Sequence, residues 1–315
     1  MKISVVIPLY NKAPHINRTL NSVLAQAVKA DEIIVVDDGS TDGGAEIVGK
    51  HNDPIIKIVR QENKGQSGAR NRGVEESRNS LIAFLDADDE WHHDFLKEIE
   101  VLINNFPDCG AYTVSSYTIR PDGSIYYPDI ALLPPEPWIG IIPNFFALFQ
   151  RGLAFNSSSI VIPKVIINDV GGYPEKIRQS EDADLWVRIA VKYPIAFSPK
   201  RLAVYHQDAK NRVAPTNSDL IEDPVIKRIQ SLIEDRSIPS GELKNEAMEY
   251  VAKKQITVAI NNIMVGNRKN AIAFLEKSKY TKKYKKDWLK WRMFSFFPAG
   301  IPKRLLSFKE SIRGY

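Results

Sequence analysis

The sequence predicts an α/β fold, with a doubly wound, mostly parallel sheet flanked by helices and a helical C-terminal region. Three observations predict it. Short apolar runs alternate with helical periodicities through the first hundred residues. Two of those runs end in acids, Asp37-Asp38 in IIVVDDGSTD and Asp86-Ala87-Asp88-Asp89 in LIAFLDADDEW. From about Asp219 the pattern is helical only. Strand–helix alternation favours a parallel sheet, because each crossover helix covers a sheet face.

The elements follow in order. Ile3–Leu9 reads as a strand, and Pro14–Ala27 as a helix with Ile16, Leu20, Val23 and Leu24 at helical spacing. Glu32–Asp37 is a second strand. Gly43-Gly44 marks a turn before a short helix, Ala45–Lys50. Ile55–Val59 is a third strand, Ser67–Ser77 a helix, and Leu81–Leu85 a fourth strand. Asp94–Asn105 is a helix with Phe95, Ile99 and Leu102 on one face. After Gly110 the alternation fades. Tyr112–Ile119 and Ile125–Tyr127 are expected to pair through the Pro121-Asp122-Gly123 turn. Pro128–Pro143 holds five prolines, which predicts an irregular loop or lid. Ser158–Ile162 is a strand, Asp182–Val191 a helix with Leu185, Trp186 and Ile189 inward, and Leu202–Tyr205 a last short strand. Val225–Glu234, Leu243–Val265 and Lys269–Ser278 are helical, with a turn at Gly266-Asn267. The expected division is a ligand-binding and catalytic domain over residues 1–215 and a helical region over 216–315.

The chain has 315 residues, 43% hydrophobic and 26% charged, within the range of water-soluble globular proteins. Its single cysteine, Cys109, excludes an internal disulfide and reads as a buried thiol. A first strand starting at Ile3 leaves no space for a signal peptide, so a cytoplasmic location is expected. No apolar stretch reaches the ~18 residues of a membrane span, and the longest, Trp138–Phe149, contains Pro143 and Asn144. Net charge is +5, but Glu276–Tyr315 carries 12 Lys and Arg against 3 acids, leaving −4 for the rest. An acidic body with a basic tail does not suit nucleic acid.

Acids just past parallel strand ends lie where open α/β sheets bind ligands. In Asp37-Asp38-Gly39-Ser40, a carboxylate next to glycine can approach a ligand and accept from a base N–H or a ribose hydroxyl; helix capping in an ordinary βα loop is the competing explanation. Asp86, Asp88 and Asp89 offer hard oxygens suited to Mg²⁺ or Mn²⁺, which also take phosphate oxygens. In SEDADLW, Glu181 and Asp182 open a helix. The helix dipole favours acids there, and a carboxylate there can also serve as general base toward a hydroxyl. Asn63–Asn71 (NKGQSGARN) sets Gly65 and Arg70 before and within a helix, and Arg70 can pair with phosphate. The phosphate loop GxxxxGK[ST] and the dinucleotide motif GxGxxG are both absent. His206, after the last strand, is either a metal or diphosphate ligand or a partly exposed loop residue.

Together, SVVIPLYNKAPHINRTLNSVLAQ, EIIVVDDGSTD, NKGQSGARNRGVEES, LIAFLDADDEW and SEDADLWVRIA resemble, in order and spacing, the inverting enzymes of glycosyltransferase family 2. The resemblance covers roughly residues 1–210. It implies a GT-A fold, a nucleotide-diphosphate-sugar donor and Mg²⁺ or Mn²⁺. By resemblance, Pro8, Leu9 and Tyr10 line the nucleobase pocket, Asp38 contacts uracil or ribose, and Gly65 and Arg70 belong to the donor-site loop. Asp86, Asp88 and Asp89 match the DxD region, with Asp88 or Asp89 on the metal and a neighbour on ribose. Asp182 matches the catalytic base, with Glu181 beside it, and His206 a histidine near the diphosphate. The QxxRW motif of polymerising members is absent, which implies single addition. The implied acceptor is a saccharide or a lipid-linked saccharide, with surface polysaccharide as the pathway.

Two other functions compete. A sugar-nucleotide pyrophosphorylase shares such a sheet, but its glycine-rich opening is replaced here by Ile7-Pro8-Leu9-Tyr10-Asn11. A non-catalytic nucleotide-sugar-binding subunit would have no need of the full acid set. In the tail, residues 277–309 interleave Lys and Arg with Trp288, Leu289, Trp291, Met293, Phe294, Phe296 and Phe297. That mixture suits the anionic inner surface of a membrane; a helix packed on the body is the alternative.

Overall fold

A computed structural model describes residues 1–152, 154–177, 179–209 and 220–298. The chain forms two compact units, Met1–Val213 and Ala214–Tyr315. The boundary expected after residue 215 lies outside the described residues.

In the first unit the alternation appears as expected. β1 (Ile3–Leu9), β2 (Glu32–Asp37), β3 (Ile56–Arg60) and β4 (Leu81–Phe84) form a parallel half-sheet in the order β3-β2-β1-β4. β1 is buried at all seven positions, because helices cover both of its faces. α1 (Ala13–Leu24) buries Ile16, Leu20 and Val23 against one face. Each such side chain contributes on the order of 1.5–3 kcal/mol. α2 (Gly44–Lys50) places Ala45 and Val48 in the same core. α3 (Gly65–Glu76) covers the other face, where Ile34, Val36, Val59 and Ala69 cluster.

Beyond β4 the sheet becomes mixed. β9 (Ile160–Pro163) runs antiparallel between β4 and β6 (Ala111–Ile119), and β10 (Ile195–His206) lies parallel to β6. β5 (Glu90–Trp91) closes the edge, antiparallel to β10. The expected hairpin forms: Thr118 and Ile119 pair with Tyr126 and Ile125 of β7 (Ile125–Tyr126). β10 is much longer than the expected Leu202–Tyr205. The strand passes Pro199 through a register shift between Ser198 and Arg201, where a residue without an N–H can sit. Residues 128–139 carry no regular element, as expected, and β8 (Gly140–Ile141) then adds to β10. α4 (Phe95–Asn105) buries Phe95, Ile99 and Leu102, and Cys109 is buried and free.

Two helices were not anticipated, α5 (Phe145–Arg151) and α6 (Lys164–Asp169); each is short and has little periodicity to read. α7 (Glu181–Lys192) buries Leu185, Trp186 and Ile189.

The second unit is helical. α8 (Pro224–Glu234), α9 (Glu242–Met264) and α10 (Arg268–Lys277) match the expected helices within two residues at each end. α11 (Lys285–Phe294) turns Trp291 into a core with Ile256, Ala259, Ile263, Ala271 and Leu275. Among the described residues, no helix is long and apolar enough to cross a membrane.

Candidate active site

Parallel pairing puts the carboxyl ends of β1, β2 and β4 on one edge. Leu9 pairs with Asp37, the Asp38 N–H donates to the Leu9 carbonyl, and the Leu85 N–H to that of Val6. Asp38 and Asp86 therefore meet at one rim.

Asp38 is buried and ties the entry of α3 to the sheet. Its Oδ1 accepts from Gln61 Nε2 (2.7 Å) and the Lys64 N–H (2.8 Å), and its Oδ2 from the Gly65 N–H (2.9 Å). Gly65 has φ +79°, a left-handed value that favours glycine, and the space beside it is open. Asp37 accepts from the Ser40 N–H, an ordinary turn contact. Tyr10 is exposed at the rim, whereas Pro8 is buried and Leu9 packs in the core. Of the three residues expected at the nucleobase, only Tyr10 offers its side chain.

Arg70 is the centre of the site. It lies on α3, is fully buried, and joins two acids from distant parts of the chain. One guanidinium nitrogen is 2.7 Å from Asp86 Oδ1 and the other 3.2 Å from Glu181 Oε1. Its plane sits 5.1 Å from the Tyr173 ring centroid. Burial alone would push the guanidinium pKa down, but Asp86, Glu181 and Asp182 outweigh burial and raise it. Both terminal nitrogens face protein carboxylates, so Arg70 forms a buried clamp between them. Gln66 Nε2 also reaches Asp86 (3.1 Å).

Asp182 stands next to Glu181 at the start of α7. Its Oδ2 accepts from Ser157 Oγ (3.3 Å) and its Oδ1 from the Ala183 N–H (2.7 Å). Burial raises its pKa, Arg70 opposes that, and Asp86 adds to the rise. Glu181 is raised too, first by burial, against Arg70 and with Asp182. A carboxylate made more basic by its surroundings is suited to taking a proton.

The Asp86–Asp89 turn splits its acids between two jobs. Asp88 is largely buried and ion-paired, with Lys12 Nζ 2.7 Å from its Oδ2. Asp89 faces inward: Oδ2 accepts from Ser158 Oγ (2.5 Å) and Oδ1 from the His206 N–H (3.0 Å). Burial, then Asp86 and Asp88, raise its pKa well above the ordinary value. The His206 ring is buried, with Nε2 3.0 Å from Glu90 Oε1. It is neither a loop residue nor turned toward Asp88. Among the described residues, no three His, Cys, Asp or Glu side chains are arranged to hold a metal ion. The expected set of Asp88, Asp89 and His206 is therefore not assembled. The other two acids of the turn, Asp86 and Asp88, are each in an ion pair, with Arg70 and with Lys12; one or two carboxylates completed by phosphate oxygens and water are a usual Mg²⁺ shell.

Three residues escaped sequence reading. Lys12 neutralises Asp88. Ser158 accepts from the Asp86 N–H (3.1 Å) while donating to Asp89. Thr19 on α1 donates to the carbonyls of Ala87 and Asp89. The signal for Ser158 was the run Ser157-Ser158-Ser159 before a strand, a 3₁₀ turn that aims successive hydroxyls at different acids.

A mixed sheet whose parallel half ends in acids, with a helix opened by acids beside it, is the GT-A architecture. The chain belongs to glycosyltransferase family 2. The family model, "Glycosyl transferase family 2", matches residues 4–155. The amylovoran biosynthesis glycosyltransferase AmsB of Erwinia amylovora is 31% identical over 218 residues, covering 65% of this chain and 70% of that protein. A glycosyltransferase of Rickettsia conorii is 32% identical over 216 residues, covering 64% of this chain. The chain spans only 32% of that relative and 33% of a relative from Nostoc. Residues 1–349 of S. aureus TarS, in a complex with UDP, superpose with TM-score 0.65 at 19% identity, over 94% of this chain and 88% of that one. The same TarS fragment in a complex with UDP-GlcNAc gives TM-score 0.61 at 18% identity, over 92% and 79%.

Proposed function

We propose that the protein transfers a sugar from a nucleotide-diphosphate sugar, a UDP-sugar, to a hydroxyl of a saccharide or lipid-linked saccharide, with inversion. The observation that carries this reading is the Asp86–Arg70–Glu181 bridge, which holds the strand-end acids against the helix bearing Asp182. The UDP and UDP-GlcNAc complexes of TarS support the donor class, and AmsB supports a role in polysaccharide synthesis. Asp38 orders the Gly65 loop, and Tyr10 and the open space beside Gly65 receive the nucleoside. Asp182 takes the acceptor hydroxyl's proton as its oxygen attacks the anomeric carbon and the nucleoside diphosphate departs. Arg70 holds Glu181 and Asp86 in place. A Mg²⁺ or Mn²⁺ ion held by Asp88 and Asp86 would supply neutralising charge to the leaving diphosphate.

The deciding experiment is Asp182→Asn. Turnover drops about 10²–10⁴-fold, the range for loss of a general base, while UDP affinity by calorimetry stays within a factor of two or so. Wild-type turnover in that variant removes Asp182 from the role.

The helical unit supports peripheral contact with an anionic membrane. α11 exposes Leu289 and Met293, and Phe296 and Phe297 follow, all about half accessible. Lys282, Lys286 and Lys290 make no ion pair among the described residues. Residues 299–309 of the expected tail lie outside the described residues.

A further inference from the structure

Lys12 is the residue just before α1, and its backbone is pinned on both sides. The Asn11 side chain accepts from the Thr41 N–H (2.8 Å), and the Ala13 N–H donates to Asp42 Oδ2 (2.7 Å). From that anchor the Lys12 side chain crosses to a turn 76 residues further on, where Nζ lies 2.7 Å from Asp88 Oδ2. The turn is fixed to the same helix. Arg18 Nη2 donates to the Asp88 carbonyl (2.7 Å), and Thr19 Oγ1 to the carbonyls of Ala87 and Asp89. Both side chains of the pair are shielded, at 14% and 12% exposure, so this is not one of the solvated surface pairs that contribute little.

The two outer acids of the turn are neutralised differently. Asp86 is paired with Arg70, which is fully buried and also gripped by Glu181. Moving Arg70 would leave Glu181 uncompensated. Lys12 makes a single ion pair among the described residues, and an ammonium on a flexible stem can swing away. A divalent ion on either oxygen of Asp88 would come within a few ångströms of that ammonium. Like charges so close, and shielded from water, repel strongly. A nucleoside diphosphate changes the balance, because its oxygens offer negative charge to the ion and to the ammonium together.

We propose that Lys12 guards Asp88, so that a divalent cation binds there only together with a nucleoside diphosphate. The proposal deepens the metal-dependent reading above and rests on it. Lys12 thereby ties ion binding to donor binding, and returns to Asp88 once the diphosphate has left. A salt bridge that only fastened α1 to the turn would show no such coupling, and Arg18 and Thr19 already make that fastening.

The test measures the Mn²⁺ affinity of the full chain by electron paramagnetic resonance, which reads free Mn²⁺, with and without UDP. In the wild type, UDP is expected to tighten Mn²⁺ binding by about 5–150-fold, the span usual for coupled sites. Lys12→Met keeps most of the stem and removes the charge. Without UDP it is expected to bind Mn²⁺ about ten-fold or more tightly than the wild type, and the effect of UDP shrinks by at least about that factor. Adding Asp88→Asn to Lys12→Met cancels the gain. At a concentration that leaves the wild type unsaturated, Mn²⁺ alone raises the melting temperature of Lys12→Met, which also shows that the variant is folded. An unchanged or weakened Mn²⁺ affinity in Lys12→Met without UDP, a gain that survives Asp88→Asn, or no effect of UDP on Mn²⁺ binding by the wild type overturns the role of Lys12. Absence of Mn²⁺ binding by the wild type even with UDP sinks the metal assignment itself and this role with it, whereas UDP-dependent binding that Lys12→Met leaves unaltered sinks the Lys12 role alone.

Discussion

At the scale of single residues, Arg70 decides the most. Burying a guanidinium costs several kcal/mol, and two carboxylates in contact offset that cost. Removing the cation leaves Glu181 buried and uncompensated. Arg70→Ala is therefore expected to lower stability by about 3–5 kcal/mol, read as a reduced denaturation midpoint. As the proposed base, Asp182 would work as the carboxylate, and its pKa is raised by burial. Activity is therefore lost as pH falls through a value above the ~3.9 of a free aspartate. Ser157 donates to Asp182 and lowers that pKa, so Ser157→Ala is expected to move the acid limb of kcat/KM to higher pH. A limb that stays put or moves down contradicts the assignment of Asp182 as the titrating base.

At the scale of elements, the site depends on how closely α3 approaches β1. A Cβ at Gly73 would collide with Val6 of β1. Gly73→Ala should therefore push α3, and Arg70 with it, off the sheet, at about 1–3 kcal/mol for overpacking. Both the melting temperature and UDP affinity are expected to fall; an unchanged melting temperature would show that α3 has room to spare. The 3₁₀ turn of Ser157–Ser159 is the second device. It precedes β9, and its hydroxyls reach Asp182 and Asp89 from one short segment. α1 supplies the third support, through Thr19 under the Asp86–Asp89 turn.

At the scale of the molecule, two conditions outside the chain matter. If Asp88 and Asp86 hold the proposed cation, affinity for the ion should depend on bound diphosphate. EDTA is expected to abolish transfer, and Mn²⁺ or Mg²⁺ to restore it; full activity in metal-free buffer contradicts that role. The exposed face of α11 is checked by flotation with anionic vesicles. Leu289→Glu/Met293→Glu should reduce the floated fraction severalfold, because both apolar insertion and charge attraction are lost; equal flotation excludes α11 as the contact.

Much of this was legible in the sequence. The apolar runs before Asp37 and Asp86 marked β2 and β4, since strands buried on both faces leave no polar positions to blur the signal. Acids placed just after such strands pointed to the ligand edge, and their order and spacing pointed to the family. Legibility failed where contacts are long-range. β9 is four residues long and antiparallel, and nothing local says that it inserts between β4 and β6. Asp89 and His206 resembled metal ligands by residue type, yet packing turned Asp89 toward Ser158 and His206 toward Glu90. The sequence by itself determined which residues could carry charge chemistry and on which edge of the sheet they stand, because periodicity and strand ends are local properties. Tertiary structure alone decided which acids face solvent and which are clamped, because that depends on partners such as Arg70 and Glu181, 111 residues apart, brought together by burial of the core.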